Sequence, residues 1–340
     1  MKRNRILWGL MLATVLFMLA GCAGEKDGND ESTTSSAVGV ETTEADLTEA
    51  ISATEGAIES DWVTGVIGEG IEITNVVEFA GGLIGSNSMA LYYSSDGITW
   101  SLTKDLSPYP FYTIFPAGGQ MVVYDSGNAH VTTDGMSWNS ASRDDYHMFH
   151  AVMHDGKQYV KVDTSKLYTS EDGGKFWPVQ SDPQNPLTQV FFLDDDNKPT
   201  SISKLKLYGG TYYAVGAGIW TSTDLYNWTK VIKMSDLTYG GEDLLYNGSM
   251  LLMPAFYEIY AFDGSAVTRG NAVGSTYLVY GDKFYAVSNS GRCLISTDGI
   301  VWETLFDEDS NVFSVYSAVI FGGKLYAYGE DGQYRYVVLE

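Results

Sequence analysis

The sequence predicts an all-β fold, a single ring of four-stranded sheets, most simply seven of them, with six as the competing count. Three observations predict it. A Ser/Thr-x-Asp signature followed by Trp recurs five times: Ser94, Asp96, Trp100; Thr132, Asp134, Trp138; Ser170, Asp172, Trp177; Ser222, Asp224, Trp228; and Ser296, Asp298, Trp302. Glycine-bearing dipeptides between apolar runs begin at Gly81, Gly118, Asp155, Gly209, Asn247, Gly281 and Gly322, at spacings of 37, 37, 54, 38, 34 and 41 residues. The runs after these turns, such as 212–216, 284–287 and 325–328, are aromatic and β-branched, as strands are.

Each element follows from local chemistry. A glycine turn supplies the positive φ that a tight hairpin needs. Each unit therefore reads strand, glycine turn, strand, short loop, strand, Asp turn, and a strand starting near Trp. A four-stranded unit with a period near 40 residues is a propeller blade. Phe262-Asp263-Gly264 keeps the turn but has lost the flanking signature. The last unit supplies only three strands, at about 316–321, 324–328 and 334–339. Trp62, 38 residues before Trp100, marks an N-terminal strand expected to complete that unit and close the ring. An insertion at about 179–202 accounts for the 54-residue spacing.

The Ser/Thr hydroxyl and the Asp carboxylate of each signature are suited to accept backbone N–H groups within a tight turn. The Trp offers a large apolar ring at a fixed place in the blade packing. These repeats resemble the Asp-box, or BNR, motif of sialidase-like propellers, over about residues 61–340. The resemblance implies that the Asp turns are structural and lie at the periphery, away from the usual binding face. Sialidases also carry an arginine triad, an Arg-x-Pro element, an acid Asp and a Tyr–Glu pair. No Arg-x-Pro occurs here, and beyond residue 21 the arginines are Arg143, Arg269, Arg292 and Arg335. Sialidase chemistry is not expected. A carbohydrate-active hydrolase of another kind would need two carboxylates flanking a groove. Asp144, Asp145, Glu242 and Asp243, near the starts of inner strands, are the candidates.

The N-terminus carries a different signal. Lys2, Arg3 and Arg5 precede an apolar run from Ile6 to Leu19, then Leu19-Ala20-Gly21-Cys22. That order of charge, apolar core and small residues is an export signal, too short for a comfortable membrane span. The tetrad resembles the lipobox of bacterial lipoproteins. In that family Cys22 would be diacylated after loss of residues 1–21. Residues 22–60 are acidic, rich in Ser and Thr and free of aromatic side chains, so they read as a solvated tether. As a coil they would reach about 35 Å. Residues 61–340 form the propeller, expected to be a monomer facing the outside of the cytoplasm and held to the membrane by its lipid.

Without residues 1–21 the chain holds 17 basic against 43 acidic residues. Nucleic acid is then an unsuitable partner, whereas a cationic one is compatible. Cys293, in an apolar strand pattern, reads as a buried structural thiol. His147, His150 and His154 straddle a first strand, where alternate residues face opposite ways, so no metal site is assigned. Asp194, Asp195 and Asp196 lack the alternation of a calcium loop and read as a solvated turn, open to opportunistic Ca2+ and no other cofactor. No nucleophile–base pair can be placed, and no catalytic residue is assigned. There remains a surface. Loops leading into first strands carry Tyr109, Phe111, Tyr112, Arg143, Tyr146, His147, Tyr239, Phe306 and Phe313. With 24 tyrosines in the chain, these suggest an aromatic face for a glycan, peptide or protein ligand, hence recognition or scaffolding without catalysis. Exported seven-bladed assembly factors of photosystem II are a further resemblance. They use an arginine-rich patch, for which this acidic chain has no obvious counterpart.

Overall fold

The structure, a computed structural model, describes residues 62–68, 70–107, 113–117, 119–125, 127–142, 151–154, 158–162, 167–171, 177–178, 192–200, 202, 204–233, 235, 243–255, 257–306 and 314–339. These residues form seven four-stranded antiparallel sheets. Blade 1 runs β2 (Asn75–Phe79), β3 (Gly82–Ser86), β4 (Ala90–Ser94) and β5 (Ser101–Asp105). Blade 2 holds β6 (Thr113–Ala117), β7 (Gln120–Tyr124), β8 (Asn128–Thr132) and β9 (Asn139–Ser142). Blade 3 holds β10 (Val152–His154), β11 (Gln158–Val162), β12 (Leu167–Ser170) and β13 (Trp177–Pro178). Blade 4 holds β14 (Lys204–Tyr208), β15 (Thr211–Gly216), β16 (Gly218–Ser222) and β17 (Thr229–Lys233). Blade 5 holds β18 (Leu245–Tyr246), β19 (Leu251–Pro254), β20 (Glu258–Phe262) and β21 (Val267–Asn271). Blade 6 holds β22 (Thr276–Tyr280), β23 (Lys283–Val287), β24 (Cys293–Ser296) and β25 (Glu303–Phe306).

Blade 7 combines the two ends of the propeller. Its inner strands are β26 (Val315–Phe321), β27 (Lys324–Gly329) and β28 (Gln333–Val338), and its outer strand is β1 (Val63–Val66). β1 pairs with β28 in the register Val63↔Tyr336 to Val66↔Gln333. The strand expected beside Trp62 thus closes a ring of seven, and the six-bladed alternative is excluded. Gly65 permits this pairing, because a Cβ there would meet the Tyr334 ring at 2.5 Å.

Burial falls from the second strand of a blade to its fourth. β3 and β19 are buried at every position, whereas β5, β9 and β21 are mostly exposed or half-buried. A second strand has neighbours on both edges and blades on both faces, which is why these strands read as continuous apolar runs. The core is divided among the seams between blades. Clusters built on Tyr285 and Leu325, on Tyr326 and Leu83, on Val160 and Tyr212, and on Ile219 and Met253 each join two blades.

The insertion before blade 4 is not merely solvated. Phe192 is fully buried, with its ring centroid 5.2 Å from Trp220 and 5.1 Å from Trp228. A Leu193–Pro199 bridge closes the hairpin behind it. Asp194 accepts the N–H groups of Asp196 and Lys198, and Asp195 pairs with Lys230 at 2.6 Å. Asp195, Asp196 and Asn197 are exposed, as expected of a solvated turn, while the buried Phe192 just before them docks the segment onto blade 4.

Candidate functional site

Four described Asp turns share one hydrogen-bond pattern. Ser94 Oγ accepts the Gly97 N–H at 2.9 Å and donates to Asp96, whose Oδ1 accepts the Ile98 and Thr99 N–H groups at 2.8 and 2.7 Å. Thr132 with Asp134, Ser222 with Asp224, and Ser296 with Asp298 repeat it. Burial raises the Asp224 carboxyl, but Asn227 and the other donors outweigh it and hold the group at about 2. The two N–H groups from Ser137 and Met136 hold Asp134 well below the usual carboxylate range. In these four turns the carboxylate is engaged by its own hairpin. Trp100 and Ser170 are buried, Trp138 donates Nε1–H to Thr103, and Trp228 and Trp302 donate to Leu225 and Gly299 carbonyls. Asp172 lies outside the described residues.

The opposite ends of the strands carry the loops between blades and those between second and third strands. Around blades 6, 7 and 1 these loops are bonded into one floor. Val315 donates to the Asn289 carbonyl (2.9 Å), Glu330 to Ser314 (3.2 Å) and Ile67 to Gly332 (2.9 Å). Ser317 Oγ, buried, donates to the Ile73 carbonyl at 3.1 Å. Asp331 and Gly332 both take left-handed conformations, φ 56° and 69°. At Gly332 a Cβ would fall 2.4 Å from the Ile71 carbonyl, so only glycine allows this approach.

Two open depressions lie on that floor. One, of about 480 Å³, is lined by Val66, Gly68, Gly70, Ile71, Glu72, Asn87 and Asp331. The other, of about 440 Å³, is lined by Thr74, Asn289, Ser314, Val315 and Tyr316. Tyr316 is 42% exposed. Burial, then the Glu330, Glu72 and Asp331 carboxylates, push its phenol above the ordinary value. Among the described residues these three carboxylates hold no ion pair, whereas Asp195, Asp196, Asp243 and Glu258 each hold a lysine or arginine. The face therefore presents an aromatic ring beside unneutralised negative charge.

The residues expected to form an aromatic face, Tyr109, Tyr112, Arg143, Tyr146, His147 and Tyr239, lie outside the described residues, as do Phe111, Phe313, Asp144, Asp145, Glu242, His150 and Cys22. Phe306 is instead buried in the seam between blades 6 and 7. Asp243 is held by Lys204 and Lys206, each at 3.1 Å. Although burial raises its carboxyl, these lysines bring it below the ordinary value. Arg269, Arg292 and Arg335 belong to three different blades, and Arg269 is paired with Glu258. A Tyr–Glu hydrogen bond does exist, from Tyr260 to Glu258, but both residues are buried. His154 bonds the Tyr212 hydroxyl. Among the described residues no group of three or more His, Cys, Asp or Glu is placed to hold a metal ion. Cys293 is fully buried, and burial pushes its thiol up to about 12.

One constellation escaped sequence reasoning, which could place no nucleophile–base pair. His130 Nε2 lies 2.9 Å from Asp125 Oδ2, and its Nδ1 lies 2.8 Å from Ser140 Oγ. Asp125 and His130 are buried, whereas Ser140 is exposed on β9. Burial raises the Asp125 carboxyl, but the Gly127 N–H, His130 and Asn128 outweigh it and bring it to about 2. No local sequence pattern announces it: the register of β8 against β9 sets His130 opposite Ser140.

No family model matches this chain, and no curated protein matches it. Solved structures do. YCF48 bound to D1 peptide aligns with a TM-score of 0.56 at 16% identity, covering 84% of this chain and 99% of that one. YCF48 from Cyanidioschyzon merolae aligns with a TM-score of 0.52 at 14% identity, covering 82% and 98%. A catalytically inactive virginiamycin B lyase from Staphylococcus aureus with quinupristin aligns with a TM-score of 0.54 at 9% identity, covering 82% and 100%. At these identities the likeness is one of fold, and the chain is a seven-bladed β-propeller.

Proposed function

We propose that this chain is a lipid-anchored, extracytoplasmic recognition propeller that binds a protein or peptide partner through its loop face. In this reading residues 1–21 are removed, Cys22 carries the lipid, and residues 22–60 tether a monomeric propeller. Its repeats are Asp-boxes of the sialidase-like superfamily, a reading supported by the shared hydrogen-bond pattern of the four turns. The loop face acts by binding, not by chemistry.

One observation carries the choice of partner: Tyr316 stands among Glu72, Glu330 and Asp331, and among the described residues none of the three acids is paired with a cation. A lysine or arginine would gain both a ring face and carboxylates there. A positively charged peptide segment therefore fits better than a neutral glycan. The peptide bound by YCF48, a protein of the same fold, is consistent with a peptide ligand. The test is a peptide and glycan array probed with the full-length chain in detergent. Basic peptides are expected to bind, and both Tyr316→Ala and the double change Glu72→Gln, Asp331→Asn should weaken them about tenfold. Equal binding by these variants, or binding confined to neutral glycans, would remove the site. Cys22→Ser should separately release the chain from the membrane fraction.

A further inference from the structure

The Asp125–His130–Ser140 constellation lies apart from the loop-face depressions and goes beyond the binding function. We propose that it is a base-activated nucleophile, in which Ser140 takes acyl groups from ester substrates. Asp125 already divides its labour. Oδ1 accepts the Gly127 and Asn128 N–H groups at 2.8 and 2.6 Å, which suffices to hold the turn. Oδ2 takes His130 Nε2 at 2.9 Å, with the Asn128 side-chain amide donating to it more distantly at 3.2 Å. An ionised carboxylate can only accept there, so Nε2 carries the ring hydrogen and Nδ1 turns its lone pair to Ser140. The Ser140 hydroxyl then donates to a ring nitrogen that the buried carboxylate holds in place from the other side of the ring. That is the logic of an oriented general base behind a nucleophile, with the two ring nitrogens exchanged relative to the serine protease arrangement.

Exposure supports the same assignment. The Asp–His pair is buried while Ser140 is an exposed residue of β9, so an ester can approach the serine from solvent and water is kept from the pair behind it. Lys104 Nζ, on β5 of the adjacent blade, lies 3.4 Å from the same oxygen. Its positive charge is placed to stabilise a developing alkoxide or oxyanion. A histidine serving only to hold the turn would need no accessible hydroxyl on its other nitrogen.

The reaction balances without a cofactor. Ser140 Oγ attacks the ester carbonyl carbon as its proton passes to His130 Nδ1. The carbon–alkoxy bond breaks, and the alcohol leaves with that proton. Water, deprotonated by Nδ1, then attacks the acyl-serine, releasing the carboxylic acid and restoring Ser140.

The test uses the full-length folded chain with an alkyl fluorophosphonate, in which an Oγ–P bond forms as fluoride leaves. Peptide mass spectrometry follows the rate at Ser140 against Ser101, an exposed strand serine outside the constellation. Modification of Ser140 should be about 100-fold faster than that of Ser101, and His130→Gln and Asp125→Asn should lose about that factor. With p-nitrophenyl acetate the wild type should release a burst of about one equivalent of p-nitrophenolate, absent in Ser140→Ala at an unchanged melting temperature. Ser140 reacting no faster than Ser101 in the folded wild type would overturn the proposal, even if the buried His130 and Asp125 variants fail to fold. So would a burst that survives in Ser140→Ala.

Discussion

The ring of Trp62 lies 4.6 Å from that of Phe306, centroid to centroid, tilted by 47°. The first residue of the described propeller is thereby packed against the end of blade 6, while the strand that follows it completes blade 7. Closure thus rests on an aromatic contact as well as on the β1–β28 ladder, and the two can be separated. Trp62→Ala should cost about 2–3 kcal/mol, below the usual cost for a fully buried Trp because Trp62 is half-buried. Trp62→Phe should keep most of that. Urea unfolding of the two variants checks this, and equal midpoints for Trp62→Ala and wild type would contradict it.

Glycine at 332 has two constraints where glycine at 281 has one. Both adopt left-handed φ, 69° and 61°, but a Cβ at Gly332 would meet the Ile71 carbonyl at 2.4 Å, whereas nothing lies within 4 Å at Gly281. Gly281→Ala should cost about 1 kcal/mol and Gly332→Ala clearly more. Thermal melting of the pair measures the difference, and equal losses would argue against the close approach.

Leu225 stands at φ 68° where the corresponding turns have Gly97, Gly135 and Gly299. Substituting glycine relieves about 1 kcal/mol of backbone strain. It also removes a side chain that is 2% exposed and packed in the seam of blades 3 and 4, worth about 2–5 kcal/mol. Burial wins, so Leu225→Gly should be destabilising. A rise in melting temperature would show that strain dominates.

The Asp turns make stability depend on acid. Asp224 ionises at about 2 in the folded chain, against roughly 3.9 when unfolded. A carboxyl depressed on folding stabilises above its unfolded value, and that contribution is lost as pH falls through the folded one. Melting temperature should therefore be steady above about pH 5 and decline from pH 4 toward pH 2. Asp224→Asn should flatten part of that decline while lowering stability near neutral pH.

Cys293 should ignore thiol reagents in the native state, since burial both hides it and disfavours the thiolate. Alkylation with iodoacetamide at pH 8 should proceed only in denaturant. Rapid labelling of the folded chain would place the thiol at the surface.

Much of this fold is written in local pattern. The Ser/Thr and Asp of the four described turns bond backbone groups two or three residues away, so their spacing carries the geometry. Trp62 could be assigned to the last blade because five of the other six outer strands begin at or just after a Trp. Other features depend on residues far apart in the chain. Tyr326 and Tyr328 donate to the carbonyls of Asp96 and Gly97 across the closing seam, 230 and 231 residues away, and no repeat announces that pairing. Phe192 could not be read as an anchor, because its value lies in the gap between Trp220 and Trp228 that only the folded blade creates.

The sequence by itself determined the blade, its Asp turns and the strand that closes the ring, since each follows from periodicity and short-range hydrogen bonding; it left seven blades against six, and the β1–β28 pairing decided for seven. Only the tertiary structure decided which groups meet across strands and seams. It set His130 between Asp125 and Ser140, and it gathered Glu72, Glu330 and Asp331 around Tyr316. A one-residue change of register would turn His130 away from Ser140, because alternate residues on a strand face opposite sides. The chemistry of these sites belongs to register and ring closure, which a linear motif does not encode.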